Sequence, residues 1–278
     1  MGLSSTGLTC PGPTCPGPTG PGTSPGTSPG PGGSGISVVI ISGTGTGVGK
    51  TVVTAALAAL ARSRGASVAV VKPAQTGLPP GAPGDLADVS RLAGITDTHE
   101  LARFPGALSP EAAARAAGLP PLDLAAAAGT VRGLAATRQQ VLVEGAGGLL
   151  VRYDPAGGTI ADLALSLGAP VLVVAAPGLG TLNHTALTLE ALAARRITLG
   201  GLILGSWPEN PGIAERNNIT DLDVLSRGRL LGALNEGAGT LGRAAFLSAA
   251  SAGLAATFGG CFDPEAFQES NAWQKERV

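Results

Sequence analysis

The stretch that most limits what this chain can become is residues 36–60, "ISVVIISGTGTGVGKTVVTAALAAL". It opens with a run of Val and Ile, which suits a strand covered on both faces. Four glycines follow, and the run ends in Gly49-Lys50-Thr51 ahead of an Ala/Leu-rich segment that reads as a helix over 51–64. A strand, a Gly-rich loop and a helix in that order form a phosphate-binding loop: the glycines let backbone N–H groups converge, Lys50 brings a charge to the terminal phosphates, and the Thr51 hydroxyl reaches Mg²⁺. The plain alternative is a Gly-rich turn with an incidental Lys-Thr. From Gly43 the loop has one residue more than the usual G-x-x-x-x-G-K spacing, and it carries Gly45 where partition-type ATPases have a second lysine.

The rest of the chain repeats the alternation. Strands are expected over 36–42, 67–72, 140–145, 169–176 and 199–205, and helices over 51–64, 85–93, 109–117, 122–138, 160–167, 183–196 and 214–226. Strand-helix-strand alternation implies a three-layer, doubly wound α/β fold with a mainly parallel sheet, here of the P-loop nucleotide-hydrolase type. Aromatic residues make up only 3% of the sequence, so Ala, Val, Leu and Ile must build the core. Ligands of such sheets sit at the carboxyl ends of the strands. The polar segments "KPAQTG", "EGAGG", "GLGTLNHT" and "GSWPENPG" fall at those ends.

Residues 1–35 are almost wholly Gly, Pro, Ser and Thr, and they read as a disordered tail. A start site further along is the alternative; Met1 is the only methionine, so it would use another codon. A single domain is expected over 36–265, followed by a polar tail over 266–278. With a net charge of -1 there is no basic field for nucleic acid or an anionic membrane, and no apolar run suits a membrane span. The expectation is a cytoplasmic protein. Cys10 and Cys15 have the spacing of a metal half-site that no second pair completes.

Six segments in order, "GTGTGVGKT", "KPAQTG", "GDLADVSRLAG", "LSPEAAARAAG", "LVEGAGGLLV" and "GLGTLNHTALTLEAL", resemble the dethiobiotin synthetase family over about 36–235. The resemblance implies an ATP-dependent ligase of biotin synthesis. In that chemistry CO₂ adds to an amine of diaminopelargonate, the carbamate attacks the γ-phosphate of ATP, and the neighbouring amine displaces phosphate from the mixed anhydride. Such phosphoryl transfer is carried by positioning and by cations around the moving group.

Lys50 and Lys72, read as lying at adjacent strand ends, supply two such cations. By resemblance Lys72 faces the carbamate and γ-phosphate, Thr46 the reacting carbamate, and Thr76 the substrate. Thr51, Asp85 and Glu144 match the family's Mg²⁺ ligands. Glu144 ends an apolar strand, where an unpaired charge would be costly; Asp85 has the alternative of capping the following helix. Gly47, Val48, Gly49, Val52, Gly145, Ala146 and Gly147 complete the phosphate side. The resemblance gives Gly180, Thr181, Leu182 and Asn183 to the tail carboxylate of the diamine, from the other subunit of a homodimer. His184 beside them reads as a structural imidazole.

The base pocket departs from the family. Gly205-Ser206-Trp207 stands where many members have an Asn-Asp pair, and Ala233-Leu234-Asn235 ends in Asn where proline is usual. Base preference is therefore open between ATP and another triphosphate such as CTP. Trp207 is open between stacking on a base and capping the core. A nucleotide-controlled switch protein is the competing reading of the whole chain.

Overall fold

A computed structural model describes residues 38–272; the tail expected over 1–35 and the pair Cys10 and Cys15 lie outside the described residues. Strand β1 (Val38–Gly43) leads through the glycine loop into α1 (Lys50–Ser63), then β2 (Val68–Lys72) and the short β3 (Gln75–Thr76). Next come α2 (Asp85–Ala93), β4 (Thr98–Glu100), β5 (Arg103–Phe104), α3 (Pro110–Ala117) and α4 (Leu124–Ala135). The second half runs β6 (Gln140–Gly148), α5 (Ile160–Leu167), β7 (Val171–Ala175), α6 (Thr181–Ala194), β8 (Leu199–Trp207), α7 (Ile213–Leu225) and β9 (Leu230–Asn235). Helices α8 (Arg243–Gly253) and α9 (Pro264–Asn271) close the chain.

Seven strands form one sheet in the order β4-β2-β6-β1-β7-β8-β9, and every ladder in it is parallel. Alternation along each strand divides the core into two layers. Ile40, Val71, Val143 and Val173 face one side with α4, α5 and α7, whereas Ile41, Val70, Leu142 and Val174 face the other with α1, α2 and α8. Each such side chain, fully buried, contributes roughly 1.5–3 kcal/mol. Residues Val53 to Ala61 of α1 are all buried, all but Thr54 apolar, so this helix is covered around its whole girth and lies beneath α2 and α8. That matches the Ala-rich sequence.

Three expectations change. Lys50 and Lys72 do not come from adjacent strands: β6 is inserted between β1 and β2, which brings Glu144 between the two lysines. From the neighbouring strands β1 and β6 the crossovers run in opposite directions, β1 to β2 and β6 to β7, and such a switch point is where α/β sheets bind ligands. Strand β6 also runs on to Gly148, through a bulge in which Ile41 pairs with Glu144 but Gly43 pairs with Gly148. The polar end begins later than residue 266, because α9 extends to Asn271 and Phe267 packs on Trp207 with ring centroids 4.9 Å apart. Among the described residues no helix is long and apolar enough to cross a membrane.

Candidate active site

The phosphate loop is shaped by close backbone contact with β8. Gly49 has φ 95° at the cap of α1, and a Cβ on it would lie 2.5 Å from the Gly205 carbonyl oxygen. A Cβ on Gly205 would lie 2.0 Å from the Val48 carbonyl oxygen, so neither position has room for a side chain. The following helix directs Lys50 inward. Its Nζ donates to the Gly45 carbonyl at 2.8 Å, and the residue is 8% exposed. Burial, then the neighbouring Lys72 charge, depresses its pKa to about 8 despite the opposing pull of Glu144 and Asp85.

Lys72, at the end of β2, donates to Glu144 Oε1 at 2.8 Å and to the Gly145 carbonyl at 3.2 Å, and pairs with Asp85 Oδ2 at 2.5 Å. Burial on its own would lower the Lys72 pKa; the two carboxylates outweigh it and hold the ammonium charged. Thr51 Oγ1 also donates to Glu144 Oε1, at 2.9 Å. The other carboxylate oxygen, Glu144 Oε2, is buried without a hydrogen-bond partner. Asp85 is the first residue of α2 and Gly84 holds the cap position, so the capping alternative for Asp85 is set aside.

Two carboxylates and a hydroxyl from three elements, one carboxylate oxygen of them orphaned, are a hard-oxygen set suited to Mg²⁺ with phosphate and water completing the shell. Among the described residues no cluster of three or more His, Cys, Asp or Glu assembles.

A cleft of about 670 Å³ gathers Thr46, Gly47, Gly49, Lys50, Thr51, Val52, Lys72, Thr76, Asp85, Glu144, Ala146 and Gly147 along one lining. Val48 and Gly145 are not part of that lining, although the Gly145 carbonyl accepts from Lys72. Gly205, which abuts the loop, and Ser206, Ala233, Leu234 and Asn235 are outside this lining, in the last residues of β8 and β9. Asn235 and Trp207 line a second cavity of about 520 Å³. Trp207 is 5% exposed and packs in the core while also lining this cavity.

Gly180, Thr181, Leu182 and Asn183 are outside the cleft of this chain, at the start of α6, where the Thr181 side chain is buried against Thr185. His184 is exposed on that helix rather than packed.

Such a loop and sheet are shared widely, and the sequence narrows them. The family model described as AAA domain matches residues 37–239. The ATP-dependent dethiobiotin synthetase BioD of Parafrankia sp. (strain EAN1pec) is 56% identical over 223 residues, covering 80% of this chain and 94% of that protein. This chain belongs to the dethiobiotin synthetase family. A second member, from Rhodococcus jostii (strain RHA1), is 56% identical over 73% of this chain and 87% of its own length. The family is one of ATP-dependent ligases.

By structure, the septum site-determining protein MinD complexed with Mg-ADP from Pyrococcus horikoshii OT3 matches with a TM-score of 0.50 at 19% identity, over 77% of this chain and 94% of that one. At that identity the likeness concerns the fold alone.

Several cleft residues escaped the sequence reading. Ala107, Leu108, Ser109 and Pro110 form a wall opposite the phosphate loop. The signal was present in "LSPEA", a helix start with proline at its first position. Tyr153, the only tyrosine, is fully buried, and its hydroxyl accepts the Ala146 N–H at 2.7 Å, fixing the β6 bulge beside Glu144. Burial pushes its pKa up. Gln75, inside "KPAQTG" between Lys72 and Thr76, also lines the cleft.

Proposed function

We propose that this chain closes the ureido ring of dethiobiotin from diaminopelargonate and CO₂ at the expense of a nucleoside triphosphate, in biotin synthesis. The observation that carries the reading is the convergence of Lys50, Lys72, Thr51, Asp85 and Glu144 on one cleft, in a chain 56% identical to a synthetase over 94% of that protein's length. The backbone of the glycine loop cradles the phosphates, and Lys50 neutralises charge on their terminal oxygens. Thr51, Asp85 and Glu144 would hold Mg²⁺, which supplies further positive charge to the phosphate oxygens.

Lys72 holds the carbamate oxygen against the γ-phosphate while the carbamate attacks it, and it stabilises the charge that builds there. Thr46 and Thr76 orient the carbamate and the diamine. The free amine then attacks the mixed carbamic-phosphoric anhydride, closing the ring and releasing phosphate. Because Gly180, Thr181, Leu182 and Asn183 are outside this chain's own cleft, the reading gives the diamine's tail carboxylate to those backbone N–H groups of the partner subunit in a cytoplasmic homodimer. Residues 1–35 are dispensable in this scheme.

The deciding experiment is phosphate release with Mg²⁺, bicarbonate and either ATP or CTP, with and without diaminopelargonate. Release that depends on the diamine supports the synthetase, and the ratio of the two nucleotides reports the base preference set by Ser206 and Asn235. Hydrolysis indifferent to the diamine overturns it in favour of a nucleotide switch.

A further inference from the structure

Helix α2 starts without a cap of its own. Gly84 occupies the cap position and has no side chain to accept from the first turn. The acceptor arrives from ten residues upstream: Gln75 Oε1 takes the backbone N–H of Asp85 at 3.0 Å. Gln75 is 5% exposed, and its Nε2 donates to the Thr76 carbonyl at 3.2 Å, so both ends of the carboxamide are engaged. The N–H that it holds belongs to the same residue whose carboxylate stands 2.5 Å from Lys72 Nζ.

The approach is possible because residue 84 is glycine. A Cβ there would lie 2.6 Å from Gln75 Oε1 and 3.1 Å from Arg103 Nη2. Arg103 is itself anchored, donating to both oxygens of Glu100 at 2.6 and 2.7 Å and to the Ala82 carbonyl at 2.8 Å. The segment entering α2 is thus held by Arg103 on one side and Gln75 on the other. Of the two, only Gln75 touches Asp85 directly.

We propose that Gln75 is a positioning residue of the ligase reaction: as a remote cap on α2 it fixes where the Asp85 carboxylate meets Lys72 and the phosphate side of the cleft. The proposal rests on the role given to Asp85 under Proposed function. A fixed first turn places its carboxylate; a frayed one spreads it over many positions. Groups that orient an ion-holding carboxylate have effects of about tenfold or more on ion affinity when removed.

The test compares the unaltered protein with Gln75→Leu, Asp85→Asn and the double variant. The readouts are the Mg²⁺ dependence of nucleotide binding by titration calorimetry, kcat and KM for the diamine, and thermal denaturation. Gln75→Leu should raise the Mg²⁺ concentration needed for half-maximal nucleotide binding about tenfold and lower kcat, with KM for the diamine unchanged. Added to Asp85→Asn it should change neither quantity further, because both act through one carboxylate.

Gly84→Ala, whose Cβ displaces the Gln75 amide, should reproduce the Gln75→Leu signature and serves in its place if that variant does not fold. Additive effects in the double variant, or a lowered melting temperature with unaltered Mg²⁺ dependence, overturn the proposal while leaving Asp85 in its role. An Asp85→Asn variant with unaltered Mg²⁺ dependence overturns the role of Asp85 itself, and the proposal with it.

Discussion

Lys72 Nζ lies 2.8 Å from Glu144 Oε1, and neither side chain is more than 4% exposed. Removing one member of a buried pair strands the other's charge, which costs about 3–5 kcal/mol. Lys72→Ala should therefore abolish diamine-dependent turnover and lower the melting temperature as well. Adding Glu144→Gln to it should restore much of the lost stability but none of the turnover. Thermal denaturation and phosphate release on the single and double variants check this, and equal stability losses in the two would show that the stranded Glu144 charge is not what destabilises Lys72→Ala.

Lys50 gives a pH dependence. Its folded pKa of about 8 lies below the ordinary 10.5, so between those values the unfolded chain binds more protons than the folded one. Lys50 therefore opposes folding below about pH 8, and the penalty fades as pH rises toward 10.5. Triphosphate favours the charged form. Nucleotide affinity should fall as pH rises through about 8, and binding near that pH should take up a proton. Titration calorimetry in two buffers of different ionisation enthalpy measures the uptake; a value of zero at pH 8 to 9 would contradict the depressed pKa.

Trp207 and Phe267 meet edge to face with an interplanar angle of 69°, and Phe262 stands 5.2 Å from Phe267. Aromatic pairs add about 0.5–1.5 kcal/mol beyond the area they bury. Phe267→Ala should cost about 2 kcal/mol by urea denaturation, combining that pairing with partial burial of the ring. A loss near zero would return α9 to the status of a polar tail.

How far the sequence reached follows from these same elements. The five apolar runs and the seven helices expected between them are all present, because continuous Val/Ile/Leu stretches and Ala/Leu periodicity are local signals. Strand β4, "THE", is a charged and half-buried edge three residues long, and nothing in its composition separates it from a loop. Strand β9 carries a weaker signal than the five apolar runs, since Gly232 interrupts its apolar stretch.

That Thr46, Lys50, Thr51, Lys72 and Glu144 share one lining was legible, because these residues lie at or just after strand ends. Two features were not. The placement of Glu144 between Lys50 and Lys72 depends on strand order, which no local pattern encodes. The Gln75 contact to Asp85 crosses from one element to another, and it depends on a glycine whose neighbours are visible only in three dimensions.

Gly205 supplies the last prediction. It stands where the family pattern leads into its base-reading pair, and it does so as the β8 surface on which the phosphate loop rests. A Cβ at this position would fall 2.0 Å from the Val48 carbonyl oxygen and 2.7 Å from a Val174 methyl. Backbone cannot yield as the tip of a long side chain can, so the loop must lift away from β8. Its N–H groups would then no longer converge on the phosphates, which depends on the left-handed turn at Gly49 directly after Val48. Gly205→Ala should weaken binding of ATP and CTP alike by about tenfold or more, as expected when a loop of this kind is displaced by an ångström. Its ratio between the two nucleotides should stay unchanged. Substitution of Asn235, whose side chain is exposed beside the second cavity, should instead alter that ratio and leave shared phosphate affinity in place. Equilibrium binding of both nucleotides to the two variants separates these effects, and a Gly205→Ala variant that discriminates between bases would show the strand end reading the base rather than supporting the loop.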